Sequence, residues 1–468
     1  MILWNEKEIL GNIKGSYCNN KIPDISGVSI DSRTIKRGDL FVAIRGENFD
    51  GHDFINQAIK NGAYACIAEF IPLEVDADSH PVVIVDDVRD ALVSLATFSR
   101  ERTKAKIIGV TGSVGKTSVK DSIAFVLSTD NKTHSTSGNF NNDIGLPLSL
   151  CRMEADCKYG VFELGMNHSG ELSYLSNILR PDIALITAIE SVHIEFFNSV
   201  EDIVDAKCEI FNSLVDDGVA IIPSGKHEHQ IRMNCSENNV KNIISFGTDM
   251  TNDFYLENYC VDESNNKNTV TAKLKKTNEK ITYSLGVEGK HNAVNSLAVL
   301  AVIDGLGLEI NKLKEEFVNL QATDGRGRVY DKNNGSVNYT LVDDSYNASP
   351  ASVKCALENL KTRKSSDSNG QKIVVLGDML ELGNKSVEFH RSLSEDVKKN
   401  DVDKVIAVGK LMKNLYKELP IDLQGKYFDS YEGVEGFLNE YICEGDILLM
   451  KGSHGSNVWK IAKSLIEK

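Results

Sequence analysis

Residues 106–118, Lys-Ile-Ile-Gly-Val-Thr-Gly-Ser-Val-Gly-Lys-Thr-Ser, limit what this chain can fold into more than any other stretch. Ile107, Ile108 and Val110 read as a buried strand that breaks into a glycine turn and reopens as a helix. Such a turn aims successive backbone N–H groups inward at the positive end of the following helix, which is a seat for phosphate. Gly112 and Gly115 allow close approach. Lys116 reaches terminal phosphates, and the Thr117 hydroxyl suits Mg²⁺, with Ser113 and Ser118 completing the loop. The common phosphate loop has four residues between its first glycine and the Gly-Lys pair. Here Val110 holds that first position and Gly112 leaves only two residues before Gly115, so this is a shortened version.

A strand-turn-helix of this kind implies a mostly parallel sheet, and 468 residues suffice for about three domains. The expectation is an α/β protein with a small α/β domain at 1–104, a central phosphate-loop domain at 105–320 and a Rossmann-like domain at 321–468. Lys plus Arg number 52 and Asp plus Glu 67, a net charge of −15, which argues against a nucleic-acid binder. Nine cysteines without a Cys-x-x-Cys pair fit a reducing compartment. The first turns carry Glu6, Lys7 and Glu8, unlike a signal peptide, and the apolar run around 183–189 is too short for a bilayer. The expectation is a cytoplasmic protein with no membrane insertion.

Along the first domain, a strand at Leu40–Ile44 ends in Arg45-Gly46, a helix carries Phe54, Ile55, Ala58 and Ile59 to an Asn61-Gly62 cap, and a strand follows at Ala65–Ala68. In the central domain a helix at Ser118–Leu127 precedes the dense polar loop 136–147. The strand from Tyr159 then ends in Glu163, and a carboxylate at that edge of an α/β sheet is where Mg²⁺ is held. The strand Ile183–Ile189 leads similarly to His193, a place that suits a ligand or a structural histidine. Lys207 falls in a helix over Ile203–Phe211, where a surface lysine is the plain reading, and His227-Glu228-His229 reads as loop. Residues 251–286 read as an edge hairpin region. Asn292 and Asn295, one turn apart, open an apolar helix over Ser296–Leu306, as caps or as phosphate or base contacts.

In the last domain, 324–328 is a basic turn able to clamp phosphate. Strands at Tyr339–Val342, Lys372–Leu376, Lys404–Val408 and Asp446–Met450 each end in Gly or polar residues, the mark of a ligand-binding edge. No Gly-x-Gly-x-x-Gly fingerprint occurs, so NAD is not inferred.

Taken in order, Thr111–Thr117, Glu163, His193, Lys207, Asn292, Asn295, Arg328 and Asp344 resemble the functional set of the Mur ligases, the ATP-dependent amide-bond-forming enzymes of peptidoglycan precursor synthesis. Four longer segments, 138–147, 163–168, 343–348 and 375–383, are similar to those of the member that adds D-alanyl-D-alanine, and the Asp-Asn-Pro-Arg motif of the tripeptide-forming member is absent. The resemblance implies ATP as phosphoryl donor and UDP-N-acetylmuramoyl-tripeptide and D-alanyl-D-alanine as substrates, in a monomer. It implies catalysis by Lys116, Glu163, His193 and Lys207, with two Mg²⁺ held by Thr117, Glu163, His193 and a carbamylated Lys207. Nucleotide contacts fall to Gly112, Ser113, Gly115, Lys116, Thr117, Ser118, Asn292, Asn295, Arg328 and Asp344. Substrate contacts fall to Ser32, Arg45 and Gly46 for the UDP part and to Asn139, Asn142 and Asn347. Arg326 competes with Arg328 for one role, and spacing to Asp343 favours Arg328. Ser349 and His454 stand where Asn and Arg are usual.

Overall fold

The computed structural model describes residues 2–46, 48–76, 78–190, 196–197, 199–262, 267–365, 367 and 369–468. Three sheets follow one another along the chain. The first contains β1 (Tyr17–Cys18), β2 (Gly27–Ser29), β3 (Asp39–Val42), β4 (Ala65–Ala68) and β5 (Val82–Ile84), in the order β1-β5-β4-β3-β2, parallel except for β1.

The central sheet has nine strands. These are β6 (Lys106–Thr111), β7 (Thr133–Ser135), β8 (Tyr159–Glu163), β9 (Ile183–Ile186), β10 (Val219–Pro223), β11 (Asn242–Gly247), β12 (Phe254–Asp262), β13 (Lys267–Leu274) and β14 (Glu279–Leu285). Their order is β14-β13-β12-β11-β10-β9-β6-β8-β7. From β7 to β12 neighbours run parallel, and β12–β14 form an antiparallel edge, matching the hairpin region expected there. Alternation decides which core each residue joins. Ile107, Phe162 and Ile186 face one side, while Ile108, Val110, Val161 and Leu185 face the other, under the helices Lys116–Asp130 and Lys290–Gly305. Burial on both faces is why these strands read as unbroken apolar runs.

The third sheet has β15 (Arg328–Asn333), β16 (Asn338–Asp343), β17 (Lys372–Gly377), β18 (Lys404–Val408), β19 (Gln424–Phe428) and β20 (Ile447–Lys451). The order is β15-β16-β20-β17-β18-β19, with only β15 antiparallel.

The first two sheets do not belong to separate cores. One cluster runs from Leu3 and Trp4 through the helix Val88–Arg102 to Leu148, Leu175 and Phe211. Trp4 Nε1 donates to the Cys151 carbonyl at 2.8 Å, Ser99 Oγ to Leu150 O at 2.7 Å and Arg152 Nε to Val28 O at 2.7 Å. The third sheet has its own two cores. It meets the rest through polar contacts, including Thr323 Oγ1 to Asp121 Oδ2 at 2.7 Å and Arg363 to Glu288 at 2.6 Å.

Several elements differ from expectation. The polar loop ends earlier than its composition indicates, because a helix begins at Gly145 with Pro147 in its first turn, where the missing N–H costs nothing. His227-Glu228-His229 is not loop: a helix runs over Glu228–Glu237, anchored by buried Ile231 and Cys235. Two apolar anchors suffice for one short helix on a surface, which is too sparse a pattern to stand out. The helix Val88–Arg102, capped by Asp87, and the short strands β1, β2, β5 and β19 were not anticipated.

Candidate active site

The phosphate loop forms as the glycine pattern requires. Gly112 has φ +147° and Gly115, which precedes the helix Lys116–Asp130, has φ +82°. A Cβ on Gly112 would run into the Thr187 hydroxyl. That hydroxyl donates to Val114 O at 2.6 Å, Ser113 N donates to Ala188 O at 2.7 Å, and Ser113 Oγ to Glu190 O at 3.0 Å. The end of β9 therefore clamps the loop. Thr187 was missed by sequence reasoning, although it follows the run Ile183–Ile186 just as Gly112 follows β6.

Lys116 folds its amine onto Gly112 O at 2.8 Å. Desolvation lowers its pKa; the Glu163 carboxylate opposes that and Arg326 adds to it. Glu163, at the end of β8 and in register with Val110, is buried and accepts from the Thr117 hydroxyl at 2.7 Å and from Asn141 Nδ2 at 2.8 Å. Of the asparagines in the polar loop, it is Asn141 that orients Glu163. Asn142 accepts from Gly145 N at 2.9 Å, and Asn139 lines the cleft described below.

Lys207 is no surface lysine. It is 2% exposed on the helix Val200–Cys208, and no carboxylate among the described residues pairs with it. Desolvation, aided by the charge of Lys116, pushes its pKa well below the ordinary lysine value. His193 lies outside the described residues.

A cleft of about 830 Å³ opens between the central and third sheets. One wall holds the phosphate loop, Glu163, His291, Asn292 and Asn295; the other holds Arg326, Asp344, Asn347, Lys451 and His454. Asn295 lies against Gly115, whose Cβ position is 3.3 Å from the amide nitrogen, and Asn292 donates to Glu288 O at 2.7 Å. Asp344 takes an ion pair from the buried Lys451 at 2.7 Å, and Lys451 also donates to Asn347 O at 3.1 Å. Burial raises the Asp344 pKa, with Lys451 and then Arg326 opposing.

Arg326 and Arg328 part company. Arg326 lies over the Tyr346 ring at 4.3 Å inside the cleft. Arg328 is already in β15, pairs with Asp324 at 2.5 Å beside Tyr330, and does not line the cleft. Arg326 lies in the turn 324–327, its N donating to Thr323 O at 3.0 Å, whereas Arg328 is the first residue of β15, so the end of the turn sets the two side chains apart. The arginine brought to the phosphate loop is thus Arg326, not the one favoured by spacing.

The remaining substrate candidates sit apart, in the first sheet's unit. Ser32 is buried, its carbonyl taken by Asn61 at 2.7 Å. Arg45 is half exposed and paired with Asp50 at 2.9 Å and Glu69 at 3.1 Å, and Gly46 N donates to Phe49 O at 2.9 Å. Arg89 joins this group to the polar loop, donating to Arg45 O and to Asp143, each at 3.1 Å.

Comparison with known proteins accounts for this arrangement. Three family models match: "Mur ligase family, catalytic domain" over residues 24–100, "Mur ligase middle domain" over 110–303, and "Mur ligase, glutamate ligase domain" over 325–454. A Rickettsia prowazekii protein named UDP-N-acetylmuramoyl-tripeptide--D-alanyl-D-alanine ligase is 35% identical over 98% of this chain and 99% of its own length. A crystal structure of MurF from Acinetobacter baumannii superposes with TM-score 0.84 at 28% identity, covering 99% of both chains. MurF ligase from Thermotoga maritima in complex with ADP gives 0.78 at 28% identity, covering 94% of this chain and 97% of that one.

Proposed function

The chain belongs to the Mur ligase family, and on that premise we propose that it joins D-alanyl-D-alanine to UDP-N-acetylmuramoyl-tripeptide at the expense of ATP. The products are UDP-N-acetylmuramoyl-pentapeptide, ADP and phosphate. The choice of acceptor follows the full-length likeness to ligases of that name. The observation that carries the chemistry is the Glu163–Thr117 pair set beside Lys116 at the edge of a parallel sheet.

The γ-phosphoryl group passes to the free carboxylate of the tripeptide, and the amine of the dipeptide attacks the resulting acyl phosphate and displaces phosphate. Two anions must first be brought together. Lys116 and the N–H groups of residues 113–117 meet the phosphates, and Arg326 closes on them from the third unit. The Thr117 hydroxyl and the Glu163 carboxylate are hard oxygen donors side by side, as Mg²⁺ prefers, and Asn141 holds the carboxylate in place. Thr117 and Glu163 would hold the ion, and its charge would offset that of the reacting anions. Asn292, Asn295 and Asp344 are placed to hold the nucleoside part. Among the described residues no helix is long and apolar enough to cross a membrane.

Lys207 fits a carbamate. Only the neutral amine reacts with CO₂, and burial with no carboxylate partner among the described residues holds this amine neutral at a pH where an exposed lysine is charged. A carbamate there would make this side chain, beside Lys116, an anion that would hold a second Mg²⁺, with His193 the other ligand expected for it. The UDP part is assigned to the first unit around Ser32, Arg45 and Gly46.

The test is phosphate release from ATP with the UDP-tripeptide, with and without D-alanyl-D-alanine, alongside mass spectrometry of the product. Release that needs both substrates and yields the pentapeptide is expected. Release indifferent to the dipeptide, with no pentapeptide formed, overturns the reading.

A further inference from the structure

The helix Lys116–Asp130 carries a charged pair that the chemistry above does not use. Lys120 stands one turn beyond Lys116 and is only 3% exposed. Its ammonium is shared between two acceptors, the Asp121 carboxylate and the Thr136 carbonyl, the latter at 2.7 Å. Thr136 is itself buried at the start of the polar loop, and its hydroxyl accepts from Glu163 N at 3.3 Å. A lysine is seldom buried unless its charge is matched, so this pairing fixes where the Asp121 carboxylate points.

Asp121 turns its other oxygen toward the third unit. Oδ2 accepts from the Thr323 hydroxyl at 2.7 Å, a contact between residues 202 apart in sequence. Thr323 ends the connection into that unit, and its carbonyl accepts from Arg326 N at 3.0 Å across the turn 324–327. The rest of the turn is tied to the third sheet: Gly325 N donates to Asp343 Oδ2 at 3.0 Å and Gly327 N to Asp343 O at 2.8 Å. Arg326 therefore stands on a turn held from two sides, by Asp343 within its own unit and by Asp121 from the phosphate-loop helix. The second hold answers an electrostatic need. Arg326 is close enough to Lys116 for its charge to oppose that of the lysine, so the two cations repel until a phosphate lies between them.

We propose that Asp121 is a positioning residue for phosphoryl transfer: held by Lys120 and gripping the Thr323 hydroxyl, it sets the Arg326 guanidinium opposite Lys116, so that the terminal phosphate of ATP is met from both sides. The proposal rests on the ligase reading given above. The backbone of the phosphate loop cradles the inner phosphates and its lysine reaches the outer ones, so ADP, which lacks the terminal phosphate, is insensitive to the link.

The test titrates the full chain calorimetrically with ADP and with the β,γ-imido analogue of ATP, each with Mg²⁺. The proteins are the wild type, Thr323→Val, Thr323→Ser, Asp121→Ala, Arg326→Ala and the variant combining Thr323→Val with Arg326→Ala. Thr323→Val keeps the shape and removes the donor, and the Asp121 side chain, 35% exposed, can turn to water instead. It should weaken binding of the analogue about tenfold, the size of one charge-assisted hydrogen bond, and leave ADP within twofold. Asp121→Ala should do the same, and Thr323→Ser, which keeps the hydroxyl, should bind as the wild type does. Arg326→Ala should lose at least as much as Thr323→Val, and combining the two should cost nothing further, because the threonine acts through the arginine. Asp121→Ala leaves the buried Lys120 without its counter-charge; should it fail to fold, Thr323→Val and the combined variant still decide. An unchanged Thr323→Val, additive losses in the combined variant, a Thr323→Ser no better than Thr323→Val, or equal losses for ADP and the analogue would reduce the link to a plain contact between units and overturn the proposal. Phosphate release by the wild type reports separately on the ligase reading: if it ignores the tripeptide and the dipeptide, that reading fails, while the binding comparison still decides the role of Asp121.

Discussion

At the scale of single residues, the site is a set of charges placed where burial changes their chemistry. Glu163→Gln keeps the shape but removes the anion that accepts from Thr117, and Lys116→Met removes the cation at the phosphates. Each should lower kcat by about 10²–10³, the usual cost of deleting one electrostatic stabiliser, with the circular dichroism spectrum unchanged. Lys207 gives a sharper test. Its amine is neutral in the fold and charged in the unfolded chain, so the unfolded state binds more protons between the depressed folded pKa and the ordinary lysine value. Stability limited by this group therefore rises with pH through that window. In CO₂-free buffer Lys207→Met should melt higher than the wild type near neutral pH, the gap should narrow as pH approaches 10, and the variant should be inactive. A labelled-bicarbonate NMR signal present in the wild type and absent from Lys207→Met would mark the carbamate. The loop residues and Glu163 were legible in the sequence because chemistry fixes their types at the end of apolar runs. Thr187, Asn141 and the choice of Arg326 over Arg328 were not. Each depends on where a neighbouring segment passes in space or on whether a residue falls in a turn or in the strand after it, and spacing along the chain carries neither.

At the scale of elements, strand ends decide where chemistry sits. β6, β8 and β9 are adjacent and parallel, so Gly112, Glu163 and Thr187 meet at one edge although they are far apart in sequence. Gly112→Ala should abolish nucleotide binding, measured by calorimetric titration with ADP, because its Cβ displaces the Thr187 hydroxyl that clamps the loop. Gly115→Ala meets only the Asn295 amide at 3.3 Å but must hold φ +82°. It should fold with a loss of about 1–2 kcal/mol, read as a lower denaturation midpoint. The long apolar strands and the helices after them announced themselves through period and glycine punctuation. The strands β1 and β19 did not, since Tyr17-Cys18 and Gln424-Gly-Lys-Tyr-Phe428 carry no apolar run, nor did β2 and β5, whose place is set by the sheet they join.

At the scale of the whole molecule, the three sheets make two bodies. The first two share one core, in which each fully buried aliphatic side chain contributes about 1.5–3 kcal/mol. The third is joined to them by contacts such as Arg363–Glu288, of the kind worth about 1 kcal/mol or less. Scanning calorimetry should resolve two transitions rather than three, and limited proteolysis should cut near residues 321–327 and leave 2–320 in one piece. A single transition, or early release of residues 2–104, would contradict the shared core. The sequence led to an expected boundary near 104, but it could not reveal that Trp4 bonds to Cys151 across that position. This union of the first two bodies also turns them into a gauge. Their common core holds Arg45 and the phosphate loop at a fixed separation, so, under the proposed reading, a substrate held at the first and reacting at the second is measured by its length before it is ever judged by its end.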